Sequence, residues 1–203
     1  MRILLIGAGG KLGTAVHQTL TARGHEVVTA GRSSGDLRFD VTDPAQITAL
    51  YEAAAVGGQL DAVACAAGSV PFKPVADMTP DDWTAAFRGK VQSQLELVRQ
   101  GTGRIAPRGS FTLITGVLAR SPIMTGSAAS MANGAVEAFV RAAAAEIAPQ
   151  RVNAVSPTVV TESLDVYAGY FPGFASVGLA EVSQAYVRCI EGVETGRILE
   201  LGD

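Results

Sequence analysis

Short apolar runs alternate along this chain with longer stretches whose apolar residues recur every three or four positions. Residues 2–6 (Arg-Ile-Leu-Leu-Ile) form a continuous apolar run closed by glycines, as a parallel strand covered on both faces requires. Residues 11–23 follow at helical spacing, with Leu12, Ala15, Val16 and Leu20 on one face and Gly24 at the stop. A second strand is predicted over 25–30 and a short third over 37–39. Asp43 followed by Pro44 predicts a capped helix over 44–55, because Pro needs no N–H partner in the first turn. A strand at 61–65 precedes a long helix over 79–101, whose apolar stripe is Trp83, Phe87, Val91, Leu95 and Val98. A strand at 110–115, an Ala-rich helix at 127–147, a strand at 151–155 and a last one at 196–201 complete the pattern. Residues 162–177, rich in Gly, Tyr and Phe, predict a loop or lid.

Strand and helix alternate throughout, and right-handed crossovers turn that order into an α/β fold: a three-layer α/β/α, Rossmann-type doubly wound parallel sheet of about seven strands. At 203 residues, with no linker dividing it, the chain predicts a single domain spanning 1–203.

Composition narrows the function classes. Apolar residues at 48% and charged residues at 17% suffice for a packed core. A net charge of -3 with scattered arginines offers no basic face for nucleic acid and no patch for a membrane surface. The opening apolar run is too short for an export signal or a membrane span. Cys65 and Cys189 have neither metal-ligand nor disulfide-framework spacing, so no metal is expected and a reducing, cytoplasmic setting fits.

The candidate chemistry starts at the first strand-to-helix turn. Gly7, Gly9, Gly10 and Gly13, with Lys11 and Leu12 between them, follow a strand and open a helix. Backbone without side chains can turn tightly there and approach a diphosphate held at the helix N-terminus, the reading of a dinucleotide site. The second strand ends in Arg32, Ser33 and Ser34, where an NAD-selective site would carry an acidic residue. An Arg can pair with a 2′-phosphate, which favours NADP(H) over NAD(H); a solvated turn arginine is the alternative.

These residues resemble the short-chain dehydrogenase/reductase family over nearly the whole chain. Asp40 and Val41 are similar to the family segment that meets the adenine ring, Ala66, Ala67 and Gly68 to the segment after the fourth strand, and Arg151 to Pro157 to the sixth strand, which ends near the nicotinamide. The resemblance implies a seven-stranded sheet, a small-molecule substrate, and assembly as a homodimer or homotetramer through the long fourth and fifth helices. It also implies a Tyr-x-x-x-Lys pair for proton transfer. Here Ala129 stands at the tyrosine, Asn133 at the lysine, Gly116 at the upstream serine and Lys90 at the helix-four asparagine. The lysines are Lys11, Lys73 and Lys90 and the tyrosines Tyr51, Tyr167, Tyr170 and Tyr186, so no Tyr-x-x-x-Lys exists in any register.

Several candidate substitutes follow, among them Tyr167 and Tyr170 in the 162–177 segment, where a phenol would fold over a substrate or else simply close the pocket. Lys90 would stabilise a developing oxyanion if it points into the cleft, or else reaches solvent or supports the Ala66–Ala67 loop. Thr115 would hold a substrate oxygen, or else bonds backbone. Asn133 would bond the nicotinamide ribose. Two functions stay open: an NADP(H)-dependent oxidoreductase acting on a small carbonyl or related substrate through an atypical site, and a catalytically inactive NADP(H)-binding sensor or assembly partner of the same fold.

Overall fold

The computed structural model describes residues 1–202. Seven parallel strands lie in the order β3-β2-β1-β4-β5-β6-β7: β1 Arg2–Ile6, β2 Glu26–Gly31, β3 Leu37–Arg38, β4 Leu60–Cys65, β5 Ile105–Ile114, β6 Arg151–Pro157 and β7 Ile198–Leu201. Ile3 pairs with Val27 on one side and Ala62 on the other, and Phe111 with Val63 and Val152. These central strands have both faces covered, so Ile3, Leu4, Leu5, Val63, Phe111 and Val152 are all buried.

Helices α1 (Lys11–Ala22), α2 (Pro44–Ala55), α3 (Pro80–Ala86), α4 (Ser93–Gly101), α5 (Ser127–Glu146), α6 (Leu164–Tyr167) and α7 (Leu179–Glu191) link the strands. Pro44 and the Asp43 carboxylate start α2 as expected, the carboxylate accepting from Ala45 N at 3.0 Å. Thr79 and Asp82 form a reciprocal capping box on α3.

The structure departs from the pattern reading in three places. The helix expected over 79–101 is interrupted by a π turn, Phe87–Gln92, between α3 and α4. β5 begins at Ile105 rather than residue 110, because Pro107 and Gly109 form an irregularity in the strand and not a turn; a Cβ on Gly109 would meet Asp61 O at 2.6 Å. Leu179–Glu191, unassigned by periodicity, is a helix that buries Val182, Tyr186, Cys189 and Ile190. The 162–177 segment holds α6 between two 3₁₀ turns, and its ends are tied by the Val160–Val177 bridge. Among the described residues no helix is long and apolar enough to cross a membrane.

Candidate functional site

The site lies at the C-terminal ends of the strands, where an open α/β sheet offers a crevice to ligands. Gly7 takes φ +83°, a left-handed conformation suited to glycine, and donates from its N–H to Ala30 O at 2.7 Å. A Cβ there would meet the Ala67 side chain at 2.8 Å and Ala66 backbone at 3.0 Å. Gly13 is tighter: a Cβ would run into the Gly7 carbonyl oxygen and lie 2.7 Å from Ala8 Cα. These two glycines let α1 sit against the β1 turn. Gly10 is the N-cap with no side-chain bond, so the first-turn N–H groups of α1 have no intrahelical acceptors. Leu12 turns inward against the core. Gly9 lies against the Ser34 hydroxyl. Lys11 reaches the lid instead: its ammonium donates to the Glu162 carbonyl at 2.6 Å and faces Asp165 at 3.4 Å.

Arg32, Ser33 and Ser34 are exposed at the end of β2. The nearby Asp36 folds back and accepts from Thr29 N at 2.9 Å and Thr29 Oγ1 at 2.7 Å, bonds that hold its carboxyl below the usual range. Its carboxylate is therefore committed to Thr29. Beside Arg32, a cavity of about 240 Å³ is lined by Gly31, Asp40, Val41, Ala67 and Gly68 among others. Asp40 Oδ1 accepts from Thr42 N at 2.9 Å and Thr42 Oγ1 at 2.8 Å; those bonds, with Arg32 nearby, lower its pKa.

Gly68 and Ser69 also line a second cavity of about 330 Å³, so the two meet at that corner. Its walls carry Lys90, Gly116, Ala129, Asn133, Pro157 and Tyr167, with Val70, Phe72, Leu118 and Phe171 as apolar cover. Gly89 and Ser69 lock the π turn onto this corner, Ser69 N donating to Gly89 O at 3.2 Å. Gln94 fixes it from behind, its amide donating to Lys90 O and Ile114 O at 3.0 Å each. The Lys90 stem then packs over Gly68, where a Cβ would lie 3.3 Å from Lys90 Cγ. Burial pushes the Lys90 ammonium down to about 8. Burial also pushes the neighbouring Cys65 thiol up to about 11, which keeps it neutral and unreactive.

Asn133, only 4% exposed, donates from Nδ2 to Gly116 O at 3.4 Å, while its buried Oδ1 has no partner. An orphaned acceptor at a cavity wall suits a ligand hydroxyl. With the glycine cradle, it makes the residues present fit a dinucleotide.

Thr115 faces away from the cleft, and its hydroxyl lies 3.4 Å from Val155 O, the backbone contact that was the alternative for it. It does not line the cleft, and its buried hydroxyl donates to Glu137 Oε1 at 3.1 Å, between β5 and α5. The same carboxylate oxygen accepts from Ser156 Oγ at 3.1 Å, and Ser156 accepts from Arg120 at 2.8 Å. Gln94, Glu137 and Ser156 were not singled out from sequence; the available signal was a polar residue interrupting the apolar stripe of a helix or strand.

A family profile described as enoyl-(acyl carrier protein) reductase matches residues 7–183. The chain is 30% identical over 198 residues to versicolorin reductase stcU of Emericella nidulans, covering 83% of this chain and 73% of that one. It is 28% identical to a trihydroxynaphthalene reductase of Colletotrichum orbiculare, over 83% of this chain and 68% of the relative. Among solved structures it is similar to the protein lin1944 from Listeria innocua, with 41% identity, a TM-score of 0.94 and 98% of each chain covered. A small-chain dehydrogenase in complex with NADPH has the same fold at 24% identity, a TM-score of 0.85, and coverage of 98% and 95%.

Proposed function

Since the chain belongs to the short-chain dehydrogenase/reductase family, a family of oxidoreductases, we propose that it is an NADP(H)-dependent reductase of small apolar carbonyl compounds with a rearranged proton-donating site. The observation that carries this reading is the junction at Gly68 of a glycine-framed groove with a cleft of mixed polar and apolar lining, which holds the Lys90 amine and the unpartnered Asn133 Oδ1. A bound nicotinamide coenzyme supplies the hydride.

The chain's own residues do the rest. The α1 N-terminus and its glycines hold the diphosphate, and Arg32 with Ser33 and Ser34 takes the 2′-phosphate. Asp40, Val41, Ala66 and Ala67 frame the adenosine side, Pro157 borders the nicotinamide side, and Asn133 Oδ1 accepts a ribose hydroxyl. Phe72, Leu118 and Phe171 exclude water. Ala129 carries a methyl where the family tyrosine would stand, so support of the carbonyl oxygen falls to the Lys90 ammonium. The named substrates of the two fungal reductases make fused-ring aromatic carbonyls a first choice to test. A homodimer or homotetramer in the cytosol completes the proposal; Phe87 and Met131, both exposed, are apolar positions available to such an assembly.

The test is NADPH oxidation with a panel of aldehydes, ketones and quinones. Lys90→Met is expected to lower turnover about 10²–10³-fold, the loss typical of removing one oxyanion donor. The ammonium is present below its pKa of about 8 and lost above it, so turnover by the unaltered chain should fall as pH rises through that value. Undiminished turnover in the Lys90 variant would end this reading.

The absence of a side-chain acid at both Ala129 and Gly116 favours a second reading, a coenzyme-binding sensor or assembly partner without turnover. It predicts saturable NADPH binding and no oxidation with any substrate. Either way Arg32→Ala should weaken NADPH by roughly 10–100-fold, about 1.5–3 kcal/mol, and leave NADH within about twofold by calorimetry. Equal losses for both coenzymes would remove Arg32 from the 2′-phosphate site.

A further inference from the structure

The amines of this chain are few and unequal. Lys11 is bonded to the Glu162 carbonyl and Asp165, and Lys73 donates to both oxygens of Asp82 at 2.8 and 2.9 Å. The Lys90 ammonium has no hydrogen bond or ion pair among the described residues, and no carboxylate lines its cleft. The side-chain stem is held over Gly68 and the Lys90 backbone by Gln94, which sets the amine at the wall of a cleft of about 330 Å³ with both polar and apolar lining. Ala129 and Gly116, both small, line the same cleft.

From this arrangement we propose that Lys90 is a carbonyl-capturing amine: an aldehyde or ketone carried on an apolar body condenses with its Nζ to a reversible imine inside the cleft. The nitrogen lone pair adds to the carbonyl carbon while the oxygen gains a proton, and the resulting carbinolamine loses that oxygen as water when the C=N bond forms. One water leaves and nothing is oxidised or reduced. Desolvation supplies the neutral amine at mild pH, as it does for other buried nucleophilic lysines. Val70, Phe72, Leu118 and Phe171 supply the apolar part of the lining, against which the body of the captured carbonyl compound packs. Capture uses the neutral form of the amine whose protonated form supports the oxyanion in the proposed reduction; it needs no nicotinamide coenzyme, so its test is separate from that of hydride transfer.

The test uses the full chain without coenzyme, benzaldehyde as the probe and cyanoborohydride to fix any imine as a benzyl amine, followed by peptide mass mapping. In the folded chain Lys90 is expected to be labelled roughly tenfold or more faster than Lys11 and Lys73, since a desolvated amine carries a larger neutral fraction. In urea the three lysines should react alike. Lys90→Gln should remove the fast site and leave the slow ones unchanged. Even labelling of the three lysines in the folded wild-type chain, which requires no variant to fold, overturns the proposal.

Discussion

Gly13→Ala is expected to weaken coenzyme binding roughly a hundredfold and to lower stability as well. The new methyl would run into the Gly7 carbonyl oxygen and sit 2.7 Å from Gly7 C and Ala8 Cα, all of them backbone. Because no rotamer can relieve a backbone clash, α1 must move off the β1 turn and carry its first-turn N–H groups with it. Overpacking of this kind costs about 3 kcal/mol, which as lost affinity is roughly a hundredfold in Kd. Gly10→Ala is the control: its Cβ would have nothing closer than Gly7 O at 3.7 Å, and its φ of -83° suits any residue. That variant should stay within about 1 kcal/mol of wild type in stability, the scale of an altered N-cap. Calorimetric titration with NADPH and thermal melts of both variants check the contrast. A Gly13 variant that binds coenzyme as tightly as the wild type would show that the cradle is not the diphosphate site.

Tyr186→Ala should be the most destabilising of the side-chain truncations considered. Tyr186 is fully buried on α7, and its hydroxyl donates to Cys65 O at 2.7 Å, at the end of β4. Truncating a buried aromatic removes its transfer free energy and leaves a cavity, together about 3–5 kcal/mol, against a total stability of about 5–15 kcal/mol. In a domain of this size that is a fall in Tm of roughly 6–20 °C. Tyr186→Phe keeps the ring and leaves the Cys65 carbonyl unsatisfied, for about 1–3 kcal/mol. Because Cys65 leads directly into Ala66, Ala67 and Gly68, the phenylalanine variant should also loosen coenzyme binding. Urea unfolding followed by fluorescence or circular dichroism measures both variants, and an alanine variant with an unchanged midpoint would contradict the packing described for α7.

Tyr186 also marks where the sequence stopped being legible. The apolar positions of α7 are spaced for a helix, but its start carries no local signal. Gly178 is the N-cap, and the Leu179 N–H is satisfied by both oxygens of Glu162 at 3.1 Å, seventeen positions upstream in the chain. A cap supplied from that distance leaves nothing for a local pattern to detect. By contrast α2, started by Asp43 and Pro44, was read to its observed bounds. In β5, Pro107 and Gly109 have the composition of a turn, and only the neighbouring β4 makes them a strand irregularity. Thr115 sits at the end of a strand as expected, but Glu137 from another helix decides where its hydroxyl points.

The sequence by itself determined the strand-helix order, the glycines that permit α1 to dock on the β1 turn, and the absence of any Tyr-x-x-x-Lys pair. Each is a property of local spacing or of residue identity, and neither changes when the chain folds. The tertiary structure alone decided that Lys90 lines a cleft without a counter-ion, that Asn133 Oδ1 is left without a donor, and that Thr115 is turned away. Desolvation and hydrogen-bond satisfaction depend on the atoms within a few ångströms, and here those atoms come from β4, the π turn, β5 and α5, segments separated by tens of residues.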